Sequence, residues 1–211
     1  MRINKKIIFN GRVHLIDSNV VYASRGNSIY KSIDNGESWF FLTIAPVGLV
    51  WQLKSLSKLL VRLFRSGISH IRPVNESEIL VFTSGYILIY SLCENRWISK
   101  SKIVGNRPLT IAQSPNVICY GEYRSNKARD PICVYCSMDN GVSWKNLYTF
   151  NSIRHIHSIL WDSFEKVFWV TTGDSDSESM IFKADEYFTN VRKVFGGSQQ
   201  FRSIQLLFSR K

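Results

Sequence analysis

The sequence lacks long apolar segments. None of the hydrophobic runs in its 211 residues approaches the roughly 20 residues that a membrane-spanning helix needs. The N-terminal stretch from Met1 to Phe9 carries basic residues, but it has no extended apolar core and no small-residue cleavage site. These absences argue against a secretory signal. We therefore expect a cytoplasmic protein without a transmembrane segment.

Cysteine is also scarce, with four residues in the chain. Cys133 and Cys136 have metal-ligand spacing, yet they lie in an apolar, β-branched run, where residues three apart point to opposite faces of a strand. No second pair of this kind exists, which argues against a zinc site. We expect free thiols in a reducing compartment, with neither a metal nor a cofactor.

An eight-residue phrase occurs twice in the chain. It is written Ser32-Ile-Asp-Asn-Gly-Glu-Ser-Trp39 and Ser137-Met-Asp-Asn-Gly-Val-Ser-Trp144. The aspartate of such a phrase accepts backbone N–H bonds across a turn, the glycine takes a positive φ, and the tryptophan packs the turn onto its sheet. This structural role is predicted for Ser32, Asp34, Gly36, Trp39, Ser137, Asp139, Gly141 and Trp144.

Weaker copies extend the pattern along the chain. Tyr90 to Trp97 is a shortened version, and Phe182 to Thr189 keeps the aspartate while an aromatic pair replaces the glycine and the tryptophan. Intervals of 59, 46 and 46 residues separate the equivalent points Asp34, Cys93, Asp139 and Asp185. Periods of about 40 to 50 residues are typical of β-propellers.

The repeated phrase resembles the Asp-box, or BNR repeat, of sialidase-like β-propellers, and the resemblance covers almost the whole chain. It implies an architecture. It does not imply a reaction, because Asp-boxes occur in sialidases and other glycosidases and also in non-catalytic propellers such as sorting receptors and photosystem assembly factors.

Alternating apolar residues between turn signals predict four strands per repeat, with the phrase joining the third strand to the fourth. The predicted fold class is all-β, a β-propeller of four-stranded antiparallel blades over residues 1–211 as a single domain. Phe201 to Ser209 is expected to form the first strand of a fifth blade, and Lys5 to Phe9 a spare closing strand. A truncated propeller explains this best, and a strained four-bladed ring or an open arc are the alternatives.

One inserted amphipathic helix is predicted over residues 51–66. Its apolar residues follow helical spacing, opposite a basic stripe of Lys54, Lys58, Arg62 and Arg65. No acidic residue occurs between Glu37 and Glu76, so part of the net charge of +11 is concentrated here. The stripe is either the solvated side of a docked helix or a contact for a membrane surface or an acidic polysaccharide. Nucleic acid is not expected, since no recognisable binding module accompanies the charge.

The propeller topology indicates which residues can meet. First strands line a central channel, and loops from second to third strands gather on the face opposite the repeated phrases. His155 and His157 project from one strand face, but no carboxylate lies at metal-ligand spacing in that strand, so no metal site is predicted. The predicted ligand-binding residues are Arg72, Arg124, Arg154, His155, His157 and Arg202.

The loops on this face have mixed charge. A basic loop over residues 124–130 and an acidic loop over residues 173–179 suit a hydroxyl-rich ligand or a sugar acid, although both are also compatible with ordinary solvated loops. A glycosidase needs two carboxylates about 5 to 9 Å apart, and Glu122 and Asp174 are the pair we nominate as catalytic. The Arg-Ile-Pro motif of sialidases is matched only by Ile71-Arg72-Pro73, in the wrong order and after the first phrase.

The predicted function is a sialidase-like propeller that binds carbohydrate or a glycan-linked anionic ligand, without established catalysis. Two alternatives from other classes remain. One is a divergent glycoside hydrolase, and the other is a non-catalytic scaffold that binds a protein partner.

Overall fold

The chain folds into four antiparallel sheets of four strands each. The computed structural model describes residues 9–17, 19–55 and 67–210. Within every sheet the strands follow chain order, so each strand pairs with the next one along the sequence. These sheets are the blades of a β-propeller, and the predicted fold class is confirmed.

The structure contains sixteen strands, four to a blade as predicted. Blade one contains β1 (Arg12–Asp17), β2 (Val20–Arg25), β3 (Ser28–Ser32) and β4 (Phe40–Ile44). Blade two contains β5 (Ile68–Asn75), β6 (Glu78–Thr83), β7 (Tyr86–Ser91) and β8 (Arg96–Lys102). Blade three contains β9 (Ile111–Gln113), β10 (Ile118–Gly121), β11 (Ile132–Ser137) and β12 (Lys145–Phe150). Blade four contains β13 (Ile156–Asp162), β14 (Val167–Thr172), β15 (Met180–Ala184) and β16 (Val191–Gly196).

The blades belong to two compact units. Residues 1–102 hold blades one and two, and residues 103–211 hold blades three and four. Each unit has its own cluster of buried apolar side chains. Middle strands such as β6 and β7 are continuous apolar runs that are buried on both faces, whereas the outer strand β8 alternates between exposed and half-buried residues. Apolar character therefore falls from the inner strands to the outer strand of a blade.

First strands of neighbouring blades lie side by side within each unit. β1 contacts β5 in the first unit, and β9 contacts β13 in the second. The second strand β10 also contacts β13, at Gly121. A Cβ at this position would lie 2.6 Å from Ile156 Cγ2, so glycine permits the close approach of β10 to β13.

The turns that join third to fourth strands in blades one and three have one structure, and we term residues 32–39 and 137–144 the aspartate corners. In the second corner, Ser137 Oγ donates to Asp139 Oδ1 (2.7 Å) and accepts from Gly141 N (2.7 Å). The Asp139 carboxylate accepts from Ser143 N (2.9 Å) and from Ser143 Oγ (2.6 Å). One serine and one aspartate thus satisfy the backbone of the whole turn.

The corner of blade one repeats these four bonds at 2.7, 2.8, 2.9 and 2.5 Å. Gly36 and Gly141 have φ values of 87° and 89°, which confirms the positive φ predicted for the glycine. The tryptophans differ in their contacts. Trp144 Nε1 donates to Gly141 O (3.0 Å), whereas Trp39 stacks on Phe9 with ring centroids 4.3 Å apart.

Blade four has a variant of the same corner. Asp185 accepts from Thr189 N (2.9 Å) and Thr189 Oγ1 (2.5 Å), as the other two aspartates do from serine. No glycine is available, and the positive φ of 56° falls on Phe188, three residues after the aspartate instead of two. A left-handed conformation is unfavourable for a bulky residue. The Phe188 ring offsets that cost because it is buried and stacks on Phe168 at 5.4 Å.

The prediction that Phe201 to Ser209 forms the first strand of a fifth blade is wrong. Residues 202–210 form no strand, and Ile204 and Leu207 are 72% and 92% exposed, because no strand covers them. The segment instead lies against blade four, where Thr171 Oγ1 donates to Ser203 O (2.7 Å). Apolar alternation alone does not make a strand when no partner edge offers hydrogen bonds.

The helix α1 (Leu49–Ser55) begins at the predicted insertion. Residues 56–66 of that insertion lie outside the described part of the chain, as do residues 5–8 of the predicted N-terminal strand. Trp51 of α1 packs against the core of the first unit, while Leu49 and Leu53 are exposed. Within the ranges that the structure describes, no helix has the length and apolar character to cross a membrane.

The four cysteines are free thiols. Cys133 is half-buried and Cys136 is buried, in agreement with their predicted positions on opposite faces of β11. Cys136 lies opposite Cys119 of β10, and burial raises the pKa of the Cys119 thiol well above its usual value. Both are inert core residues in this environment.

Candidate functional site: a histidine–aspartate cluster in blade four

Two histidines stand at the beginning of blade four. His155 directly precedes β13 and His157 lies within it, so the two side chains point to the same face of the sheet. Their ring centroids are 6.5 Å apart, and the residues are 8% and 6% exposed. The structure therefore presents two nearly buried imidazoles side by side.

The loop between β14 and β15 supplies a carboxylate to both rings. Asp174 Oδ2 lies 3.1 Å from His155 Nδ1, and Asp174 Oδ1 lies 3.1 Å from His157 Nε2. From sequence, a metal site is not expected here, because no carboxylate lies at metal-ligand spacing in the histidine strand. The loop after the neighbouring strand β14 nevertheless brings Asp174 to both histidines.

Gly173 is what allows the chain to turn here. Its φ is +85°, and its N–H donates to His155 O at 3.0 Å. A Cβ at this position would lie 1.9 Å from the backbone oxygen of Glu178. Any other residue would force the loop open and displace the aspartate.

Two arginines flank the three residues His155, His157 and Asp174, which we term the His–Asp cluster. Arg154 Nη1 lies 3.5 Å from Asp174 Oδ2, and Arg202 Nη2 lies 3.0 Å from Asp174 Oδ1. Their side chains are 36% and 48% exposed. Even with both histidines neutral, two guanidinium groups facing one carboxylate leave a net positive charge.

Hydrogen bonds define the orientation of the first histidine. His155 Nε2 lies 3.0 Å from the backbone oxygen of Arg124, an atom that can only accept, so a proton resides on Nε2. The neutral ring would then place an unprotonated Nδ1 against the Asp174 carboxylate, with no hydrogen bond between them, whereas the doubly protonated ring donates from Nδ1 to Asp174 and from Nε2 to Arg124 O. His157 Nδ1 is buried and has no hydrogen-bond partner in the described part of the chain.

The charges of the cluster are coupled. Burial lowers the pKa of His157 below its usual value, although the Asp174 carboxylate acts in the opposite direction. Burial raises the pKa of Asp174, but the charges of His157, His155 and Arg202 outweigh it and hold that pKa below its usual value. At neutral pH the cluster contains an ionised Asp174 beside a neutral His157.

Two buried glutamates tie the surrounding loops together. Glu178 accepts from Arg129 Nε (2.8 Å) and from Arg154 N (2.9 Å). Burial raises the pKa of Glu178, but these hydrogen bonds lower it by more. Glu122 accepts from Arg124 Nε (2.7 Å) and from Cys133 N (3.2 Å). Both glutamates therefore have structural hydrogen-bond partners.

The structure brings together five of the predicted site residues, which are Asp174, Arg154, His155, His157 and Arg202. Arg124 reaches this group only through its backbone oxygen, because its guanidinium pairs with Glu122 and Asp130. Glu122 and Asp174 have separate hydrogen-bond partners, and the nominated catalytic pair stays a prediction. Arg72 lies on β5 in the first unit, where burial lowers the pKa of its guanidinium.

Arg129 and Glu178 were missed in the sequence. The sequence does indicate such a pair. The basic loop over residues 124–130 carries Arg129, the acidic loop over residues 173–179 carries Glu178, and oppositely charged loops on one face can form ion pairs. The ion pair of Arg129 with the nearly buried Glu178 is the bond that the sequence could have suggested.

No family model and no curated protein sequence matches this chain. Solved structures do match it. A chain in the crystal structure of a nidogen/laminin complex gives a TM-score of 0.56 at 12% identity, over 85% of this chain and 62% of that one. A chain in a mitotic checkpoint complex gives 0.52 at 13% identity, over 89% and 54%. The β-propeller domain of Cps50 (Swd1) from Myceliophteria thermophila gives 0.57 at 11% identity, over 91% and 63%.

These similarities show the fold alone, because identities of 11 to 13% are too low to carry a function. The strand order and the matches together define the chain as a β-propeller. It spans less than two thirds of the length of each of the three matching chains.

Proposed function

We propose that this chain is a non-catalytic, sialidase-like β-propeller of the Asp-box type that binds an anionic glycan component, a sugar acid, at Arg154 and Arg202. The observation that carries the proposal is the excess of positive charge at the cluster. Two partly exposed guanidinium groups share one carboxylate, so they retain donors for a second one.

The geometry of the arginines suits a carboxylate ligand. Arg154 and Arg202 each contact Asp174 through one Nη, at 3.5 and 3.0 Å, and their side chains are partly exposed. A planar guanidinium binds a carboxylate with two parallel N–H bonds. A ligand carboxylate would therefore bind the exposed part of these two guanidinium groups.

Membership of the Asp-box family is supported by the two aspartate corners. Their four hydrogen bonds agree within 0.1 Å, although the corners lie in different blades. Glycoside hydrolysis has less support, because Glu122 is already engaged by Arg124 and a backbone N–H.

Calorimetric titration with sugar acids and matched neutral sugars tests the proposal. We expect binding of an acidic monosaccharide such as a uronic or sialic acid, and no binding of the neutral sugar. Arg154→Gln and Arg202→Gln should each weaken binding at least tenfold, since each removes a charged donor. Arg192→Gln, an exposed arginine on β16, is the matched control and should bind as wild type.

Equal affinity for acidic and neutral sugars, or equal losses in Arg192→Gln and Arg202→Gln, would contradict the proposal. Hydrolysis of a fluorogenic glycoside that is lost in Glu122→Gln, with folding intact, would establish the enzyme instead.

A protein-binding scaffold is the second candidate. Two of the matching chains come from structures titled as complexes, and the outer strand β4 exposes apolar side chains. Phe40, Phe41 and Ile44 are 56%, 57% and 51% exposed. An outer strand of this kind can accept an apolar strand of a partner protein. A co-purifying protein that is lost in Phe41→Lys, in a chain that is inert towards sugar acids, would favour the scaffold.

A further inference from the structure

We propose that the His–Asp cluster is a binding site for a divalent metal ion of the zinc type. The ligand atoms are His155 Nδ1, His157 Nε2 and one carboxylate oxygen of Asp174. The site overlaps the proposed sugar-acid site, but the argument for it is independent of any ligand.

The ligand atoms of the two histidines and Asp174 lie close together. All three ligand atoms lie within 4.8 Å of one another, and each histidine nitrogen is 3.1 Å from an oxygen of Asp174. Zinc–ligand bonds of about 2.0 to 2.1 Å in a tetrahedron place neighbouring ligands about 3.4 Å apart. Small side-chain rotations therefore suffice to enclose an ion.

Hydrogen bonds to neighbouring backbone groups fix the orientation of the ligand residues. Metal-binding histidines commonly donate their other ring N–H to a backbone oxygen, which fixes the tautomer. His155 Nε2 makes this bond to Arg124 O at 3.0 Å, and Nδ1 is left to face Asp174. Gly173 N donates to His155 O, so the strand and the loop that carry the ligands are joined directly.

The donor set indicates the class of metal. Two imidazole nitrogens and one carboxylate suit zinc, cobalt and related ions, whereas magnesium and calcium prefer oxygen ligands alone. Three protein ligands leave a fourth position open in a tetrahedral site. The protein would thus hold the ion while keeping it accessible to a small molecule.

The positive charges of Arg154 and Arg202 oppose the binding of a cation at Asp174, and this opposition gives a specific test. Arg202 Nη2 lies 3.0 Å from Asp174 Oδ1, and its charge repels an ion bound to the same carboxylate. Removing this charge should tighten metal binding about tenfold, the reverse of its effect on a sugar acid. The sugar-acid proposal and the metal-site proposal can therefore be contradicted independently of each other.

The experiment is a titration of untagged, EDTA-dialysed protein with Co²⁺, followed by the visible absorption of the bound ion, and with Zn²⁺ by calorimetry. We expect one ion per chain, with Zn²⁺ displacing Co²⁺ and Mg²⁺ failing to do so. Asp174→Asn and His157→Gln should each lower the affinity at least a hundredfold. Circular dichroism checks that both variants fold, and Asp174→Asn preserves the shape of the side chain.

The matched control is Asp176→Asn, which removes an exposed carboxylate from the same loop and should bind as wild type. Absence of binding in the wild type, binding that survives Asp174→Asn, or weaker binding in Arg202→Gln would each overturn the proposal. Sugar-acid binding measured in EDTA reports on the arginines alone.

Discussion

At the scale of single residues, Ser137 shows how one hydroxyl holds a turn. The residue is 2% exposed, and its Oγ both donates to Asp139 and accepts from the buried N–H of Gly141. A buried N–H without a partner costs more than the hydrogen bond itself contributes. The serine is therefore as important to the corner as the aspartate.

Ser137→Ala should lower the free energy of unfolding by about 1–3 kcal/mol, because it leaves the Gly141 N–H buried and unpaired. Urea denaturation followed by tryptophan fluorescence measures this loss. Ser163→Ala, at an exposed serine in the turn after β13, is the control and should change stability by less than about 0.5 kcal/mol. Equal effects of the two substitutions would contradict the role assigned to Ser137.

The aspartate of the first corner predicts a dependence on pH. Hydrogen bonds from the side chain and backbone of Ser38, and from Ser32, lower the pKa of Asp34 to about 2 from 3.8. A lowered pKa in the folded state stabilises the fold above the unfolded value, and this contribution is lost as the pH falls towards 2. The stability deficit of Asp34→Asn relative to wild type should thus shrink between about pH 5 and pH 3. A deficit that is constant over this range, measured by urea denaturation, would contradict the assignment.

At the scale of elements, the loop over residues 173–179 links strand geometry to the site. Gly173 lets the chain leave β14 and place Asp174 over both histidines, and Glu178 anchors the far end to Arg129 and Arg154. The loop is therefore positioned at both ends by bonds to other segments of the same unit.

Gly173→Ala should destabilise the protein and weaken Co²⁺ binding, since its Cβ would lie 1.9 Å from Glu178 O. Gly197→Ala is a sharp control, because Gly197 also has a positive φ of 94° but a Cβ there meets nothing within 4 Å. We expect Gly173→Ala to lose at least about 1 kcal/mol more than Gly197→Ala in urea denaturation. Equal losses would mean that φ alone, and not crowding by Glu178, requires glycine in this loop.

The strands were predictable because alternation and turn residues act locally. The third strand of blade one, β3, ends at Ser32, where the first aspartate corner begins, as the predicted order of strands and turns requires. Residues 202–210 have a similar apolar pattern, yet a strand also requires a partner edge, and that requirement is not local. The same limit explains why the contact of Asp174 with His155 and His157 was not predicted. This contact depends on strand pairing between β13 and β14, and not on spacing along one strand.

At the scale of the whole molecule, positive charge and the candidate site lie in different parts of the sequence. Residues 1–102 contain 14 Lys and Arg against 6 Asp and Glu, whereas residues 103–211 contain 13 against 10. The site at Asp174 belongs to the nearly balanced part. General attraction to polyanions and specific binding at the cluster should therefore respond to different substitutions.

Retention on a sulfated polysaccharide resin should be salt-sensitive and unchanged in Arg202→Gln, because one charge is a small part of the excess of +11. The same variant should lose affinity for the free sugar acid in calorimetry. Elution of Arg202→Gln at a much lower salt concentration than Arg192→Gln would show that the cluster also binds the polymer.

The two aspartate corners share a further chemical property through their Asn-Gly bonds. Asparagine followed by glycine is the sequence most prone to deamidation, in which the glycine nitrogen attacks the asparagine side-chain amide. Gly36 N and Gly141 N are held by serine oxygens at 2.8 and 2.7 Å, so the nitrogen that would attack is kept in place by the folded turn. Deamidation at Asn35 and Asn140 should therefore be confined to molecules whose corners have opened.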